Sequence, residues 1–222
     1  MNTVLPIVLA SSSLFRRQQL AKLGLQFETA APDCDETPLP GETPCQTAQR
    51  LAEAKARALA VRFPRHLIIG ADQVACNGRQ LGKPMDVAKA QQMLAETAGQ
   101  ELHFYSALCV LNTFSGSLHR HVDTTTVKMR PLTAQQIARY LEREPDAVYC
   151  AGGAKSEGLG GALIERIDSS DPNALIGLPV LRLTDFLLAE GVPLPLVLLP
   201  ANADIAARYA ERWLAAGAHA VV

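Results

Sequence analysis

Short apolar runs alternate along the chain with segments in which apolar residues recur every three or four positions. The short runs are typical of buried strands, and the periodic segments are typical of amphipathic helices. The predicted strands lie at residues 4–10, 66–71 with an extended continuation over 74–76, 101–112 and 117–130. The predicted helices lie at residues 13–23, 45–62, 86–98, 133–144 and 179–190. Strands and helices that alternate in this order predict an α/β fold.

Turn-forming residues separate these segments. The pair Asn77-Gly78 predicts a hairpin turn, because both residues tolerate the positive φ angles that such turns need. The pair Ser115-Gly116 joins the two longest predicted strands into a second hairpin. Several prolines predict that residues 32–44 form a loop, and this loop carries the acidic residues Asp35 and Glu36.

The length and the apolar content indicate how the chain is divided. A chain of 222 residues, 48% of them hydrophobic, is sufficient for one domain with a substantial core, although two small domains would also fit. We assign residues 1–191 to one domain and residues 192–222 to a C-terminal extension. The extension predicts one amphipathic helix at residues 202–216, whose larger apolar side chains are spaced by four, namely Ile205, Tyr209 and Trp213.

Charge and cysteine usage limit the possible partners and compartments. The formal net charge is −1, from 21 Lys and Arg against 22 Asp and Glu, so no global basic field favours nucleic acid. The five cysteines are dispersed and lack a C-x-x-C pair, which is typical of reduced thiols in the cytoplasm. No basic residue precedes the apolar run at 4–10, and prolines interrupt the apolar run at 192–200. The sequence therefore predicts neither a signal peptide nor a membrane segment.

Serines and arginines follow the first predicted strand, in the sequence LASSSLFRR at residues 9–17. A helix amino terminus with hydroxyl groups and guanidinium groups is suited to bind an anion. The same residues are equally compatible with a serine that caps a helix and two solvated arginines. The segment alone leaves both interpretations open.

Two charged residues occur in otherwise apolar surroundings. Lys55 interrupts the apolar face formed by Ala48, Ala52 and Leu59, so its ammonium group either reaches the helix edge or points to an anion in a cleft. Asp72 follows a glycine at the predicted carboxyl end of a buried strand, where α/β proteins bind ligands. This position makes it the best candidate for a catalytic carboxylate, whereas an aspartate that opens a turn is the alternative.

A glycine-rich run and a lone lysine complete the candidate chemistry. The run AGGAKSEGLGG at residues 151–161 allows the backbone to approach a ligand closely, but it lacks the order of a Walker loop. A flexible hairpin loop is the alternative interpretation. Lys83, before a proline, is by itself compatible with an ordinary solvated charge.

Together, the segment at 9–17, the pair Asp35-Glu36, the helix with Lys55 and the sequences IGADQV, LGKP, AGGAKSEGLGG and IGLP resemble the Maf-like nucleotide pyrophosphatases in order and spacing. The resemblance implies a mixed, elongated sheet flanked by helices, with a central nucleotide-binding cleft as in inosine triphosphatases. It also implies a homodimer and a divalent metal, Mg²⁺ or Mn²⁺, held by Glu36 and Asp72. Asp72 matches the presumed proton acceptor of the family, and Ser11, Arg16, Glu36, Lys55 and Lys83 match its other polar site positions. Lys155, in the glycine-rich run, is a further candidate for substrate binding.

Three further positions are similar to the branch of the family that hydrolyses 7-methyl-GTP to 7-methyl-GMP and pyrophosphate, which would remove a modified nucleotide from the cellular pool. These positions are Phe15, Gln73 and Glu157. An aromatic ring can stack on a cationic base, and a carboxylate can accept two hydrogen bonds from its edge. Phe15 and Leu14 depart from the usual Trp and Pro of that branch. The alternatives are dTTP or UTP as substrate, or a non-catalytic nucleotide-binding regulator of cell division.

Overall fold

The computed structural model of the chain describes residues 4–194. Within these residues the strands are β1 (Ile7–Ala10), β2 (Phe27–Ala30), β3 (Leu67–Asn77), β4 (Arg79–Leu81), β5 (Glu101–Asn112), β6 (Leu118–Met129) and β7 (Ile164–Asp168). The α-helices are α1 (Leu14–Ala21), α2 (Pro44–Ala58), α3 (Val87–Thr97), α4 (Ala134–Arg143) and α5 (Val180–Ala189). Short 3₁₀ turns occupy most of the chain between α4 and β7.

The strands form one mixed sheet in the order β2-β1-β3-β5-β6-β7, and β4 pairs with the second half of β3. β1 pairs in parallel with β2 and with the first residues of β3. The pairs of β3 with β5, β5 with β6 and β6 with β7 are antiparallel. The prediction of an α/β fold with a mixed sheet flanked by helices is therefore confirmed.

β3 changes its neighbour along one edge, and this change positions the candidate site. Its first four residues pair with β1 up to Gly70, and its last three pair with β4 from Ala75 onward. Between them, Asp72 and Gln73 have a strand neighbour only on the other side, in β5. The predicted carboxyl-terminal position of Asp72 is therefore wrong, because β3 continues to Asn77. Asp72 instead lies where the parallel partner ends and one side of the strand is open.

Helices cover both faces of the sheet. One face of β1, β3 and β5 packs against α2, through small residues such as Ala48, Ala52 and Ala56. The opposite face packs against α1 and α5, through Leu20, Leu183 and Leu187. A third cluster joins α3 and α4 to the start of β5 and the end of β6. The three clusters meet at the sheet, so the strand that carries Asp72 is held from both sides.

Two strands were not predicted from the sequence, β2 and β7. Both form edges of the sheet, and two residues of β2 and four of β7 are exposed. An edge strand with polar, exposed positions has no apolar run to reveal it. The predicted helices and the two predicted hairpins are present, with ends that differ by up to four residues.

The carboxyl-terminal end of the described chain still packs on the core. Val192 and Leu194 are 3% and 2% exposed and join the cluster formed by α1 and α5. The predicted helix at 202–216 lies outside the described residues. No helix within residues 4–194 has the length and apolar character that crossing a bilayer requires.

Candidate active site

A cavity of about 990 Å³ opens beside the side of β3 on which Asp72 and Gln73 have no strand neighbour. This volume is at the upper end of the range of about 300–1,000 Å³ typical of small-ligand sites. Its wall contains all ten residues assigned to the site from the sequence, namely Ser11, Phe15, Arg16, Glu36, Lys55, Asp72, Gln73, Lys83, Lys155 and Glu157. Further wall residues are Ser12, Ser13, Leu14, Gln18, Ala31, Pro32, Asp146 and Tyr149.

The start of α1 forms one end of the cavity. Ser13 caps the helix, because its hydroxyl accepts a hydrogen bond from the backbone N–H of Arg16 at 3.4 Å. The hydroxyl of Ser11 accepts a hydrogen bond from the backbone N–H of Ser13 at 3.1 Å. The segment is thus a serine cap and also places Arg16 in the cavity wall, whereas Arg17 is exposed and does not line it. A capped helix start beside a guanidinium group can bind an anion.

Arg16 and Lys83 carry positive charge into the cavity without an acidic partner. Among residues 4–194 neither forms an ion pair, and the Nε of Arg16 donates only to the carbonyl oxygen of Gly177, at 2.9 Å. Gly177 has a φ of 117°, and a side chain there would lie 3.4 Å from that Nε. Burial lowers the pKa of Arg16, although the charges of Asp72 and Glu36 oppose this change.

Lys83 is exposed at the cavity wall, but the neighbouring charges of the site also affect its pKa. Desolvation by the surrounding protein lowers its pKa, and repulsion from Arg16 and Lys55 adds to this effect. Two cations that repel each other and lack acidic partners would be stabilised by a bound polyanion. This end of the cavity is therefore suited to phosphate groups.

Lys55 connects the two carboxylates that were assigned to metal binding. Its Nζ lies 2.7 Å from Oδ1 of Asp72 and 2.8 Å from Oε2 of Glu36. Lys55 and Asp72 are 6% and 7% exposed, whereas the side chain of Glu36 is 57% exposed. Of the two interpretations of Lys55, the structure thus shows the cleft-facing one. A buried lysine and aspartate are stable together because each neutralises the other.

The loop that carries Glu36 is fixed from α2. Arg50 donates to both carboxylate oxygens of Glu42 and to the carbonyl oxygen of Thr37. Asp35, the neighbour of Glu36, accepts a hydrogen bond from the backbone N–H of Thr37 at 2.9 Å and does not line the cavity. Only one member of the Asp35-Glu36 pair therefore faces the site.

The donor set was compared with the requirements of Mg²⁺ and Mn²⁺. Among the described residues no cluster of three or more His, Cys, Asp or Glu residues could hold a metal ion without other ligands. Mg²⁺ is usually bound by one or two carboxylates together with substrate phosphates and water. Glu36 and Asp72, which share Lys55, fit a metal ion that is bound jointly with a phosphorylated ligand.

Aromatic and acidic side chains line the cavity next to Arg16 and Lys83. A small adjoining cavity of about 70 Å³ is lined by Phe15, Gln73 and Glu157, the three positions that resemble the 7-methyl-GTP branch in sequence, and also by Arg16 and Lys83. Tyr149, which the sequence did not suggest, lines both cavities and is 51% exposed. Tyr149 is the last residue of a 3₁₀ turn, Pro145–Tyr149, and no local pattern in the sequence identifies it. Cys150 lies beside it, but burial raises the pKa of its thiol to about 12, so it remains protonated at neutral pH.

Gln73 is more strongly connected to the protein than a residue that only contacts a ligand. Its amide nitrogen donates to the carbonyl oxygens of Ala174 and Leu175, at 3.0 and 2.9 Å, and to the hydroxyl of Ser106. Its amide N–H groups are thus used within the protein. A ligand would therefore contact the side-chain carbonyl oxygen of Gln73.

Lys155 is similarly engaged by the protein. Its Nζ lies 2.9 Å from Oε1 of Glu144 and 3.8 Å from Oδ2 of Asp146. The same Nζ lies 5.9 Å from the ring centroid of Phe15. The glycine-rich run around it consists of 3₁₀ turns at Ala151–Gly153 and Leu159–Leu163, so it is not a hairpin loop.

Comparisons with known proteins identify the family of the chain. The family model described as "Maf-like protein" matches residues 6–190. The chain is 63% identical over 193 residues to a protein of Neisseria gonorrhoeae named 7-methyl-GTP pyrophosphatase, which covers 86% of this chain and 98% of that protein. Proteins with the same name from Chromobacterium violaceum and Vibrio vulnificus are 54% and 46% identical. Each alignment covers 84% of this chain, with 97% and 95% of the respective relative.

Among solved structures, that of the Staphylococcus aureus Ham1 protein is similar with a TM-score of 0.39 and 14% identity. The similarity covers 56% of this chain and 71% of that chain. A similarity of this size is too low to support a statement about the present molecule.

Proposed function

As the chain belongs to the Maf-like protein family, we propose that it is a nucleoside triphosphate pyrophosphatase that hydrolyses 7-methyl-GTP to 7-methyl-GMP and pyrophosphate. The observation that carries the proposal is that one cavity brings together two cations that form no ion pair within residues 4–194, two carboxylates that share a lysine, and aromatic and acidic side chains. Relatives with up to 63% identity over nearly their full length carry the name of this activity.

The unpaired cations account for the position of the cleaved bond. Arg16 and Lys83 can neutralise the two phosphoryl groups that leave together, and the start of α1 supplies further N–H donors. Charge that develops on the leaving pyrophosphate is then met by groups that are already in place. This distribution of charge supports attack at the α-phosphorus with pyrophosphate as the leaving group.

Asp72 is proposed as the group that accepts the proton of the attacking water. Lys55 holds one of its oxygens at 2.7 Å, which leaves the other oxygen for a proton. A Mg²⁺ or Mn²⁺ ion held by Glu36, Asp72 and the phosphates would supply charge neutralisation when bound. Lys55 orients both carboxylates for that role because it contacts each of them.

The end of the cavity that Phe15, Tyr149 and Glu157 line, next to Arg16 and Lys83, is proposed to select the base. Guanine methylated at N7 carries a positive charge, so the rings of Phe15 and Tyr149 attract it more than a neutral base. The carboxylate of Glu157 can accept hydrogen bonds from the N–H groups of its Watson–Crick edge. Uracil and thymine lack that pattern of donors, so they would bind this end less well.

The resemblance to the family also leads us to propose a homodimer in the cytoplasm. Light scattering coupled to size-exclusion chromatography would give the mass of the particle in solution. A mass equal to that of one chain would contradict the dimer.

A single assay tests the proposed reaction. We expect the purified protein, incubated with 7-methyl-GTP, GTP, UTP or dTTP and Mg²⁺ or Mn²⁺, to release a monophosphate and pyrophosphate, fastest from 7-methyl-GTP. Ion-exchange chromatography separates these products from a diphosphate and orthophosphate. EDTA should stop the reaction, and an excess of Mg²⁺ or Mn²⁺ should restore it.

Three results would contradict the proposal in different ways. Release of orthophosphate and a diphosphate would contradict cleavage between the α- and β-phosphoryl groups. Full turnover in EDTA would contradict a requirement for a metal ion. Faster turnover of UTP or dTTP would assign the chain to another substrate. Stoichiometric binding without turnover would favour a nucleotide-binding regulator.

A further inference from the structure

One carboxylate outside the cavity holds both ends of the loop that carries Glu157. Glu144, at the end of α4, accepts a hydrogen bond from Nζ of Lys155 at 2.9 Å through Oε1. Through Oε2 it accepts a hydrogen bond from the backbone N–H of Leu159 at 3.0 Å. These two donors are four residues apart and lie on either side of Glu157. Hydrogen bonds from Lys155 and Leu159 lower the pKa of Glu144.

A second side chain of α4 also holds this loop. The hydroxyl of Tyr140, on the same helix, accepts a hydrogen bond from the backbone N–H of Lys155 at 2.9 Å. Burial raises the pKa of this hydroxyl to about 12, so it stays protonated. Gly160 lies so close to Lys155 that a side chain there would be 2.5 Å from its backbone oxygen. The loop is therefore folded tightly on itself and fixed to α4.

The charge of Glu144 also matters at the base end of the cavity. The ammonium group of Lys155, 5.9 Å from the centroid of Phe15, is neutralised at short range by Glu144 and more weakly by Asp146. Without Glu144 an incompletely neutralised cation would lie next to the ring on which the base is expected to stack. A cationic base would be repelled by it, whereas a neutral base would be affected less.

We propose that Glu144 is a positioning residue for base selection, which fixes Glu157 toward the base and neutralises Lys155 beside Phe15. The proposal rests on the proposed function, because it concerns the same cavity. It adds that preference for a cationic base depends on a carboxylate that does not itself line the cavity. Neither the sequence motifs nor the position of Glu144 at the end of a helix indicates this role.

The two tasks of Glu144 can be separated by two substitutions. Glu144→Gln keeps an oxygen that can accept the N–H of Leu159 but removes the negative charge beside Lys155. Glu144→Ala removes both. Glu142→Gln is the matched control, because Glu142 is exposed on the same helix and lines no part of the cavity.

We would measure kcat/KM for 7-methyl-GTP, GTP and UTP, and calorimetric Kd values for the same nucleotides in EDTA. For Glu144→Gln we expect the ratio of 7-methyl-GTP to GTP to fall about tenfold, while the ratio of GTP to UTP changes little. For Glu144→Ala both ratios should fall, because Glu157 is then also released. The inhibition constant of inorganic triphosphate, which has no base, should stay within about twofold in all three variants.

These measurements distinguish the inference from the proposed function. The products and kcat/KM values of the wild type decide the reaction and the preferred nucleotide, whereas changes in the kcat/KM and Kd ratios of the variants decide the role of Glu144. A purely structural role would lower the Tm and weaken all nucleotides and triphosphate equally, leaving the ratios unchanged. That outcome would overturn the inference, as would an equal change in the ratios for Glu142→Gln.

Discussion

At the scale of single residues, three ionic side chains meet at one point of the cavity and share their charges. Lys55 contacts both Asp72 and Glu36, so a change in any one of them alters the other two. Asp72 is the member whose protonation is proposed to matter for the reaction. Its substitution therefore tests the mechanism most directly.

Asp72→Asn is expected to lower kcat by about 10²–10⁴-fold, the typical effect of losing a positioned general base. The amide keeps the shape of the side chain and can still accept a hydrogen bond from Lys55, so the fold should persist. Steady-state kinetics with the preferred nucleotide would give kcat, and circular dichroism would confirm the fold.

Asp33→Asn is a suitable control for this substitution. Asp33 lies in the same loop as Glu36, but it is exposed and does not line the cavity. Its kcat should equal that of the wild type. If Asp72→Asn retained more than about a tenth of the wild-type kcat, a loss of only about 1.4 kcal/mol, the assigned role would be wrong.

Gln73 illustrates how one residue can serve both the fold and the site. Its amide nitrogen holds the carbonyl oxygens of Ala174 and Leu175, and Leu175 itself lines the small cavity. A residue that lacks this donor would remove the hydrogen bond to Leu175, whereas the carbonyl oxygen of Ala174 would still accept from Ser106 and from the backbone N–H of Gly177. The role proposed for Gln73 in base selection therefore includes shaping the wall of the small cavity.

At the scale of secondary-structure elements, the close contact of α2 with β3 brings Lys55 to Asp72. The contact uses small residues of α2 and a glycine of β3, Gly70, two residues before Asp72. A Cβ atom at Gly70 would overlap the carbonyl oxygen of Ala52 and lie 3.0 Å from the Cβ of Ala56. Backbone atoms cannot move aside as the end of a flexible side chain can.

Gly70→Ala is therefore expected to destabilise the protein by about 1–3 kcal/mol, the usual cost of overpacking. It should also lower kcat, because displacement of α2 would move Lys55 away from Asp72. Urea unfolding gives the free energy of unfolding, and kinetics on the folded fraction give kcat.

The matched substitution for the stability measurement is Gly82→Ala. Gly82 has no positive φ angle, and a Cβ there would meet nothing within 4 Å. Its free energy of unfolding should stay within about 0.5 kcal/mol of the wild type. Equal stability of the two variants would show that the contact at Gly70 does not limit the approach of the helix.

At the scale of the whole molecule, ionised carboxylates that connect loops, helices and strands contribute to the pH dependence of stability. Hydrogen bonds, chiefly from Arg50, lower the pKa of Glu42 from 4.5 to about 2. Similar hydrogen bonds lower the pKa of Glu53, chiefly from Arg120, and of Glu144, chiefly from Lys155. Each group takes up protons more readily in the unfolded chain than in the folded one.

The contribution of Glu42 should be fully present above about pH 4.5 and should be lost as the pH falls toward 2. We expect Glu42→Gln to be less stable than the wild type at pH 7, and the difference to shrink progressively below pH 4.5. Urea unfolding midpoints between pH 7 and pH 3 would show this convergence. A difference that stays constant over this range would contradict the assigned interaction.

The sequence by itself determined the elements that have a strong apolar pattern and the residues that form a motif. The strands of the core, the five α-helices and the two hairpins follow from local periodicity, caps and turns. All the residues assigned to the site line one cavity, because they lie within or beside elements whose positions are fixed by their own core faces. Their roles in catalysis and base selection stay predictions.

Only the tertiary structure decided which of these residues contact one another. The change of neighbour along β3 opens the space beside Asp72, and it depends on where β1 ends, far away in sequence. The edge strands β2 and β7 are stabilised by pairing rather than by their own polar sequence. Tyr149 and Glu144 gain their positions from 3₁₀ turns and from a loop folded on α4. Such contacts between distant segments depend on packing, which no local pattern of residues records.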